Sequence, residues 1–365
     1  MNYSEDKRIV LTLDAGGTNF VFSAVQGNSE IIQPITLPAN PNDLELCLQT
    51  VVDGFTQVKS QLNDKPVAIS FAFPGPADYP RGIIGDLPNL PAFRGGVALG
   101  PMLEDVFQLP VFINNDGDLF AYGEAMTGYL PYINNLLRKT GSPKQYNNLL
   151  GVTLGTGFGG GVVRNGELFI GDNAIAAEIW LLRNKLIPST NADEGVSIRA
   201  VRRAYAELSG ISFDEAPEPK DIYEIGQGVK QGNKKAAVES FAKMAEIMGD
   251  ALANAITIID GIIVIGGGIS HAHSLFLDLV IKEMNSTYTN IQGVSFPRLA
   301  SKAFNLENET ELDIFLKGES RKISVPKSSR EIVYDPLARV GVGVSKLGAS
   351  KAIALGAYAY ALNKI

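Results

Sequence analysis

The chain has 365 residues, of which 45% are hydrophobic and 19% charged, so it can form two ordinary domains with sizeable cores. Its formal net charge of -7 disfavours nucleic acid or an anionic membrane surface as the main partner. The single cysteine, Cys47, excludes an intramolecular disulfide and a cysteine-based metal cluster. Since there is neither a long apolar run nor a leader-like start, we expect a cytoplasmic protein without a membrane helix.

Apolar runs that end in glycine-rich turns recur along the chain, with helical patterns between them. The predicted strands are 9–13, 20–25, 67–73, 111–113, 149–154, 162–163 and 261–265. The predicted helices are 43–62, 117–128, 196–209, 220–231, 234–257, 273–284 and 349–363. Residues 131–148 are predicted to form a surface excursion, and residues 290–340 a mixture of secondary-structure elements with charged turns. The pattern predicts an α/β chain of two similar halves, divided near Asn114, with ligands at strand ends.

The first glycine-rich segment is Asp14-Ala15-Gly16-Gly17-Thr18-Asn19, directly after an apolar strand. Glycine lets a backbone approach a phosphate closely, and Thr18 and the neighbouring amides could donate hydrogen bonds to it. Asp14 is placed to hold Mg²⁺ through water, because that ion keeps much of its hydration shell. A glycine hairpin turn with a capping aspartate is the open alternative, since six residues are a weak signal.

Two later glycine runs follow buried strands in the same way. Gly155-Thr156-Gly157 opens a segment with five glycines in seven positions, which is costly to order unless the backbone must approach a ligand. The Thr156 hydroxyl could reach a transferred phosphate, and a bulged hairpin is the alternative. The run Gly266-Gly267-Gly268 suits a flat ligand such as adenosine, with an ordinary strand-to-helix turn as the alternative.

Three carboxylates are candidates for chemistry. Asp116, beside Asn115 at a strand end, could accept a proton from a sugar hydroxyl, although a helix cap explains the same residues. Glu178 lies in the otherwise apolar segment 174–182, where an unpaired charge would be costly, so we expect a polar ligand or a salt bridge. Glu194 precedes a helix and fits either a ligand contact or a first-turn acid.

Taken in order, these segments resemble the ROK family of sugar kinases and regulators. The resemblance covers most of the chain and rests on Asp14 to Asn19, Pro74 to Asp78, Leu87 to Leu90, Asn115 to Asp116, Gly151 to Gly161 and Ala349 to Ala361. It implies an α/β, two-lobed actin-like or hexokinase-like (ribonuclease H-like) ATPase fold with an interlobe cleft. The implied lobes are 1–113 with 347–365, and 114–346.

The resemblance also implies an activity. It is that of an ATP-dependent hexose kinase acting on the 6-hydroxyl of an aldohexose, with glucose as first choice. N-acetylhexosamine, mannose and fructose remain alternatives, as does a non-catalytic sugar sensor. ATP and Mg²⁺ are the implied cofactors, and a homodimer is expected by analogy with the family.

Roles carry over from the family position by position. Asp116 would be the general base, and Asn89, Asn115, Asp116, Glu178 and Glu194 would bind the sugar. The residues implied for ATP are Asp14, Gly16, Gly17, Thr18, Asn19, Gly155, Thr156 and Gly157 around the phosphates, and Gly266, Gly267 and Gly268 around adenosine. The spacing from Glu194 to Val196-Ser197 is one residue shorter than in the family pattern.

Two departures from the family pattern stand out. Glu178 is followed by Ile179-Trp180-Leu181 instead of a glycine-histidine pair, and no cysteine or histidine occurs between Glu178 and Glu194. We therefore expect no structural zinc and one sugar-contacting side chain fewer. Asp14 also comes too early for the helix-turn-helix domain of the family's regulators, so no nucleic-acid partner is expected.

Overall fold

The structure is a computed structural model that describes residues 3–365. Met1 and Asn2, which open the predicted first lobe, lie outside the described residues. The chain separates into two compact units. The first comprises the described residues up to Gly128, together with Glu167–Ala177 and Leu347–Ile365, and the second comprises Tyr129–Gly166 and Glu178–Lys346.

The helices are numbered along the chain. They are α1 Leu44–Ser60, α2 Leu99–Phe107, α3 Asp116–Met126, α4 Tyr129–Lys139, α5 Ile198–Ser209, α6 Pro219–Gln227, α7 Lys234–Ile259, α8 His273–Met284, α9 Glu309–Lys317 and α10 Ala349–Lys364. Side-chain caps explain several starts: Asp43 accepts the Leu46 N–H at α1, and Ser197 accepts the Ala200 N–H at α5. Gly210 ends α5 in the left-handed conformation that helix C-termini favour.

The strands are numbered in the same way. They are β1 Val10–Ala15, β2 Asn19–Gln26, β3 Ser29–Glu30, β4 Ile35–Pro38, β5 Ala68–Ala72, β6 Ala77–Asp78, β7 Ile83–Ile84, β8 Val111–Asn114, β9 Asn148–Leu154, β10 Phe158–Arg164, β11 Glu167–Leu168, β12 Ile262–Gly266, β13 Thr287–Thr289, β14 Ser295–Pro297, β15 Lys302–Asn305, β16 Arg321–Ser324, β17 Glu331–Tyr334 and β18 Arg339–Val344.

In the first unit the sheet has the order β3-β2-β1-β5-β8, with β4 also paired to β2. β1 and β2 are antiparallel, whereas β1, β5 and β8 are parallel. Alternate side chains of β1, such as Leu11 and Leu13, join an aromatic-rich core together with α1 and α2. Thr12 and Asp14 therefore belong to the opposite face of the strand, on which α10 packs.

Helices α3 and α10 pack together at very short range in the first unit. A Cβ added to Gly123 would lie 1.9 Å from the Ala352 carbonyl oxygen, and one added to Gly356 would lie 1.9 Å from that of Leu119. Only glycine permits this approach. This close packing explains why α3 groups with the first unit, although the sequence prediction places it in the lobe 114–346. The first unit continues to Gly128 and also includes Glu167–Ala177.

In the second unit the sheet has the order β10-β9-β12-β18-β15. β9 and β10 form an antiparallel hairpin, and β9, β12, β18 and β15 are parallel. Helices α5, α6, α7 and α8 pack together in this unit, and α7 is its longest helix. Each unit thus contains an antiparallel hairpin with a glycine turn that continues into parallel strands, as the two similar halves of the sequence predict.

Most predicted elements are observed within a few residues. The prediction of a surface excursion over 131–148 is wrong in its first part, because Tyr129–Lys139 is a helix that buries Leu130, Ile133 and Leu137 at helical spacing. Helix α2 and strand β4 were not predicted at all. Within residues 3–365, no helix combines the length and the apolarity that crossing a membrane requires.

Candidate functional site

The sheet of the first unit brings together the predicted site residues that follow β1 and β8. Asp14 pairs in register with Ala72, and Ala72 pairs with Asn114. Because β1, β5 and β8 are parallel, their carboxyl ends meet at one edge of the sheet. The first glycine turn, the segment after β5 and the pair Asn115-Asp116 therefore share this edge.

The charge of Asp116 acts on the Asp14 carboxyl. Burial against surrounding protein raises the pKa of the Asp14 carboxyl above its usual value, and the charge of Asp116 raises it further. The side chains of both Asp14 and Asp116 are exposed to solvent. A pair of neighbouring carboxylates open to water offers the hard oxygen ligands that Mg²⁺ prefers, and a bound cation would relieve their repulsion.

Asp116 is the first residue of α3, and one of its carboxylate oxygens accepts the Gly117 N–H at 2.8 Å. Asn115 is the N-cap, and its Oδ1 also accepts the Gly117 N–H, at 2.8 Å. The helix cap that the sequence left open is thus present. It fixes both side chains at the helix start without using up the second oxygen of Asp116.

Tyr79 supports this edge and was not identified from sequence. Its hydroxyl donates to the Phe73 carbonyl at 3.0 Å and accepts a 3.5 Å hydrogen bond from Asn115 Nδ2. The ring is buried, and a Cβ on Gly75 would lie 2.9 Å from the hydroxyl oxygen. Gly75-Pro76 is a cis peptide. The proline-glycine-proline segment therefore packs on Tyr79, which in turn orients Asn115.

Asn89 lies at the exposed tip of a well-anchored loop. Leu87, Leu90 and Phe93 are buried, and Arg94 donates to the carbonyls of Leu87 and Phe93 at 2.9 and 2.7 Å. The exposed side chain of Asn89 is thereby displayed on a fixed backbone.

The first glycine turn is open to solvent. Gly17, Thr18 and Asn19 are exposed, and in the described chain no protein acceptor receives the backbone N–H of Gly16, Gly17 or Thr18. The Thr18 carbonyl is held by the Ala39 N–H at 2.9 Å. Free amides on a tethered turn are suited to an anion. Beside this turn, Asp14 contributes to the lining of a cavity of about 530 Å³ bounded by β1, β2 and α10.

In the second unit, the turn 155–157 connects β9 to β10. The Gly155 N–H donates to the Gly157 carbonyl at 3.0 Å, while the described residues offer no acceptor to the N–H groups of Thr156 and Gly157. Thr156 is exposed. The turn is a tight hairpin, as the alternative interpretation proposed, but it also leaves two amides and a hydroxyl free for a ligand.

The third glycine run lies beside this turn. β12 is parallel to β9 with Gly266 opposite Thr153, so both glycine segments leave the sheet at its carboxyl edge. Gly267 has a positive φ of 87°, and a Cβ there would lie 2.3 Å from the Leu154 carbonyl oxygen, so only glycine fits. Gly268 is exposed and opens a short 3-10 turn ahead of α8.

Glu178 does not sit in a buried apolar setting. Its side chain is exposed and accepts a hydrogen bond from the indole N–H of Trp180, which is itself 37% exposed. The premise that its charge would be desolvated is therefore wrong, because the apolar neighbours Ile175 and Leu181 also point to solvent. An open carboxylate beside an indole remains compatible with a sugar contact, which stays a prediction.

Glu194 forms ion pairs instead of standing free. Its carboxylate lies 2.8 Å from Arg203 and 4.0 Å from Arg199, at the end of a short 3-10 turn. Because α5 begins at Ile198 after its N-cap Ser197, Glu194 lies before that helix, so the alternative of an acid in its first turn is wrong. The neighbouring Asp193, which was not identified from sequence, is the carboxylate that contacts the end of the turn 155–157, because its Oδ1 accepts the Phe158 N–H at 2.7 Å.

The loop between these glutamates is closed by hydrogen bonds. The side-chain Oδ1 of buried Asn184 accepts the N–H groups of Leu186 and Ile187 at 2.9 and 3.0 Å, and the backbone N–H of Asn184 donates to the Thr190 carbonyl at 3.0 Å. Among residues 3–365, no group of three or more His, Cys, Asp or Glu side chains is arranged to hold a metal ion.

Comparison with known proteins follows the same lines. The model of the ROK family matches residues 10–302. An N-acetyl-D-glucosamine kinase of Vibrio atlanticus is 28% identical over 284 residues, covering 74% of this chain and 86% of that protein. A glucokinase of Thermotoga maritima is 26% identical over 279 residues, covering 72% and 83%.

Solved structures agree. A glucokinase from Parabacteroides distasonis is 55% identical, with a TM-score of 0.93 and full coverage of both chains. A ROK family glucokinase from Streptomyces griseus, in complex with glucose and AMPPNP, is 20% identical with a TM-score of 0.60, covering 96% of this chain and 98% of that one. The chain has the actin-like, hexokinase-like fold expected from its sequence. It belongs to the ROK family.

Proposed function

We propose that this chain transfers the γ-phosphoryl group of ATP to the 6-hydroxyl of an aldohexose, with glucose as the preferred sugar. The coarser activity, ATP-dependent phosphorylation of a sugar, is that of the family and of its curated relatives. One observation carries the proposal. At the carboxyl ends of the parallel strands in the first unit, Asp116 is close enough to Asp14 for its charge to raise the pKa of Asp14, and the adjacent turn has free backbone N–H groups.

Asp116 acts as the general base in this proposal. Its carboxylate is exposed at the start of α3 and held by one hydrogen bond, so its other oxygen can accept the proton of the attacking hydroxyl. Asn115, oriented by Tyr79, and Asn89 on its anchored loop supply polar contacts to neighbouring sugar hydroxyls. Glu178 and Glu194 remain proposed sugar ligands from the second unit.

The two hairpin turns bind the phosphates. Free N–H groups at 16–18 and at 156–157, with the hydroxyls of Thr18 and Thr156, are donors for phosphate oxygens, and Gly266 to Gly268 leave bare backbone for adenosine. Asp14 would hold Mg²⁺ through water, and the cation would neutralise charge on the phosphates.

Glucose is the preferred sugar because the 55% identical structure is a glucokinase. The curated relatives, at 24–28% identity, include both N-acetyl-D-glucosamine kinases and glucokinases. An N-acetylhexosamine, mannose and fructose are therefore the competing substrates. We further propose a cytoplasmic homodimer, which size-exclusion chromatography with light scattering tests directly.

The test is a coupled assay of ADP release with glucose, N-acetylglucosamine, mannose and fructose at equal concentrations. The proposal predicts the highest kcat/KM with glucose and a product phosphorylated at O6. Highest kcat/KM with another of these sugars contradicts the glucose assignment. Absence of ADP release with all four, from a folded protein, contradicts the hexose kinase activity and favours a sugar sensor.

A further inference from the structure

Asp193 is held in place by its own segment. It lies in the 3-10 turn Ala192–Glu194, which Asn191 caps by accepting the Glu194 N–H at 3.3 Å. The Ser197 hydroxyl donates to the Asp193 carbonyl at 2.9 Å, and Ser197 also caps α5. The backbone of Asp193 is thus fixed at the start of a helix, and its side chain, 16% exposed, points away from open solvent.

The two carboxylate oxygens of Asp193 have different partners. Oδ1 accepts the Phe158 N–H at 2.7 Å, the first amide after the turn 155–157. Oδ2 lies 3.0 Å from the guanidinium of Arg199, in the first turn of α5. A charge-assisted bond to a backbone amide is among the stronger hydrogen bonds in proteins. The peptide between Gly157 and Phe158 is therefore held in one orientation.

The same segment also holds the other end of the turn. The Ile198 N–H donates to the Gly155 carbonyl at 2.9 Å. A Cβ on Gly157 would lie 3.0 Å from Asp193 Oδ1, so the carboxylate packs directly against this glycine. The Gly155 carbonyl and the Phe158 N–H are thus both occupied by the segment 193–198, whereas the N–H groups of Thr156 and Gly157 have no acceptor among the described residues and are left for a ligand.

We propose that Asp193 is a positioning residue for the phosphate-binding turn 155–157, and that Arg199 neutralises it. A bare carboxylate beside a triphosphate would repel it, so the ion pair with Arg199 is required for the carboxylate to be tolerated there. The inference rests on the proposed function, since it assigns the turn to ATP. It differs from the family-based expectation, in which Glu194 was the important acid of this segment.

The effect should be selective for the nucleotide. Asp193→Ala removes the acceptor of the Phe158 N–H, and we expect the KM for ATP to rise about tenfold or more, as for loss of a hydrogen bond to a charged group. The KM for the hexose should stay within about twofold, because nothing in the segment 155–158 is assigned to the sugar. Asp193→Asn keeps an acceptor oxygen and should restore most of the ATP affinity.

The experiment combines steady-state kinetics with calorimetric titration of MgATP into wild type, Asp193→Ala, Asp193→Asn and the control Asp221→Asn. Asp221 is a surface carboxylate paired with Lys230, and its variant should behave as wild type. Equal ATP affinity in wild type and Asp193→Ala overturns the inference, as does an equal loss of ATP and sugar affinity. If wild type itself does not bind MgATP, the proposed function fails instead.

Arg199→Met provides a second variant in case Asp193→Ala does not fold. It leaves the carboxylate without its counter-charge, so repulsion of the triphosphate should raise the KM for ATP severalfold, and more strongly at low salt. Unchanged ATP affinity in a folded Arg199→Met, together with full loss in Asp193→Asn, would assign the effect to local folding and overturn the positioning role.

Discussion

Asp14 and Asp116 lie at the carboxyl ends of β1 and β8, on either side of β5, and the charge of Asp116 adds to burial in raising the pKa of the Asp14 carboxyl. Two like charges that act on one another in this way disfavour the doubly ionised form, and a divalent cation would relieve the repulsion. The same relationship that costs the free protein stability is therefore what makes the site receptive to a divalent cation.

Asp14→Asn should stabilise the free protein while abolishing activity. A carboxyl whose pKa is raised by folding contributes stability below its unfolded pKa, about 3.9 for Asp, and that contribution is lost as pH rises through the folded value. At neutral pH the charged form therefore opposes folding. We expect a higher melting temperature for Asp14→Asn than for wild type at pH 7, with the difference shrinking toward pH 4.

Addition of Mg²⁺ provides the second part of that test. Wild type should gain thermal stability with Mg²⁺, and Asp14→Asn should gain little, because the cation relieves a repulsion that the variant lacks. A lower melting temperature for Asp14→Asn than for wild type, at neutral pH without Mg²⁺, would contradict the proposal that the charged Asp14 carboxylate opposes folding.

Gly157→Ala tests how closely Asp193 packs against the turn 155–157. The new methyl group would lie 3.0 Å from Asp193 Oδ1, so either the carboxylate or the turn must shift. We expect a severalfold rise in the KM for ATP in the wild-type background. The added effect of Gly157→Ala should be smaller in the Asp193→Ala background, where the space is free, and a double-mutant cycle measures this coupling. Strict additivity of the two changes would show that the contact is unimportant.

Tyr79→Phe should weaken sugar binding without altering the chemistry. The change removes the hydroxyl that bonds to the Phe73 carbonyl and to Asn115, and leaves the buried ring in place. We predict a severalfold higher KM for the hexose with kcat and the KM for ATP nearly unchanged. A fall in kcat with normal sugar affinity would instead link Tyr79 to the positioning of Asp116.

Asn184→Ala tests whether hydrogen bonds close the loop where the family carries its zinc motif. Two backbone N–H groups would lose their acceptor, which should lower the free energy of unfolding by about 1–3 kcal/mol, measured by urea denaturation. Ser189→Ala, an exposed change in the same loop, serves as the control. We expect a chelator to leave the wild-type urea midpoint unchanged, and a lower midpoint would reveal a structural metal.

The sequence predicts the positions of strands and glycine turns well, because apolar runs broken by glycines are local signals. Parallel pairing of β1, β5 and β8 then places Asp14 and Asn115-Asp116 at one edge, so this half of the site follows from pattern and topology. Helix α4 was not predicted because the polar residues Asn134 and Asn135 interrupt the apolar pattern to which the buried Ile133 and Leu137 belong.

Side-chain partners were the least predictable part. The apolar neighbours of Glu178 suggested burial, yet Ile175 and Leu181 are exposed, because the segment lies on the surface. Nothing local distinguishes Asp193 from Glu194 as the acid that reaches the Phe158 N–H, since that contact joins residues 35 positions apart. The available signal was the position of Asp193 four residues before Ser197, the N-cap of α5.

The central claim is that Asp116 is the base of a sugar kinase. Its most direct test is single-turnover phosphoryl transfer to glucose by Asp116→Asn, with glucose affinity measured separately by calorimetry. We predict a rate lower by about two to four orders of magnitude with glucose still bound. A near-normal transfer rate in the Asp116→Asn variant would contradict the account.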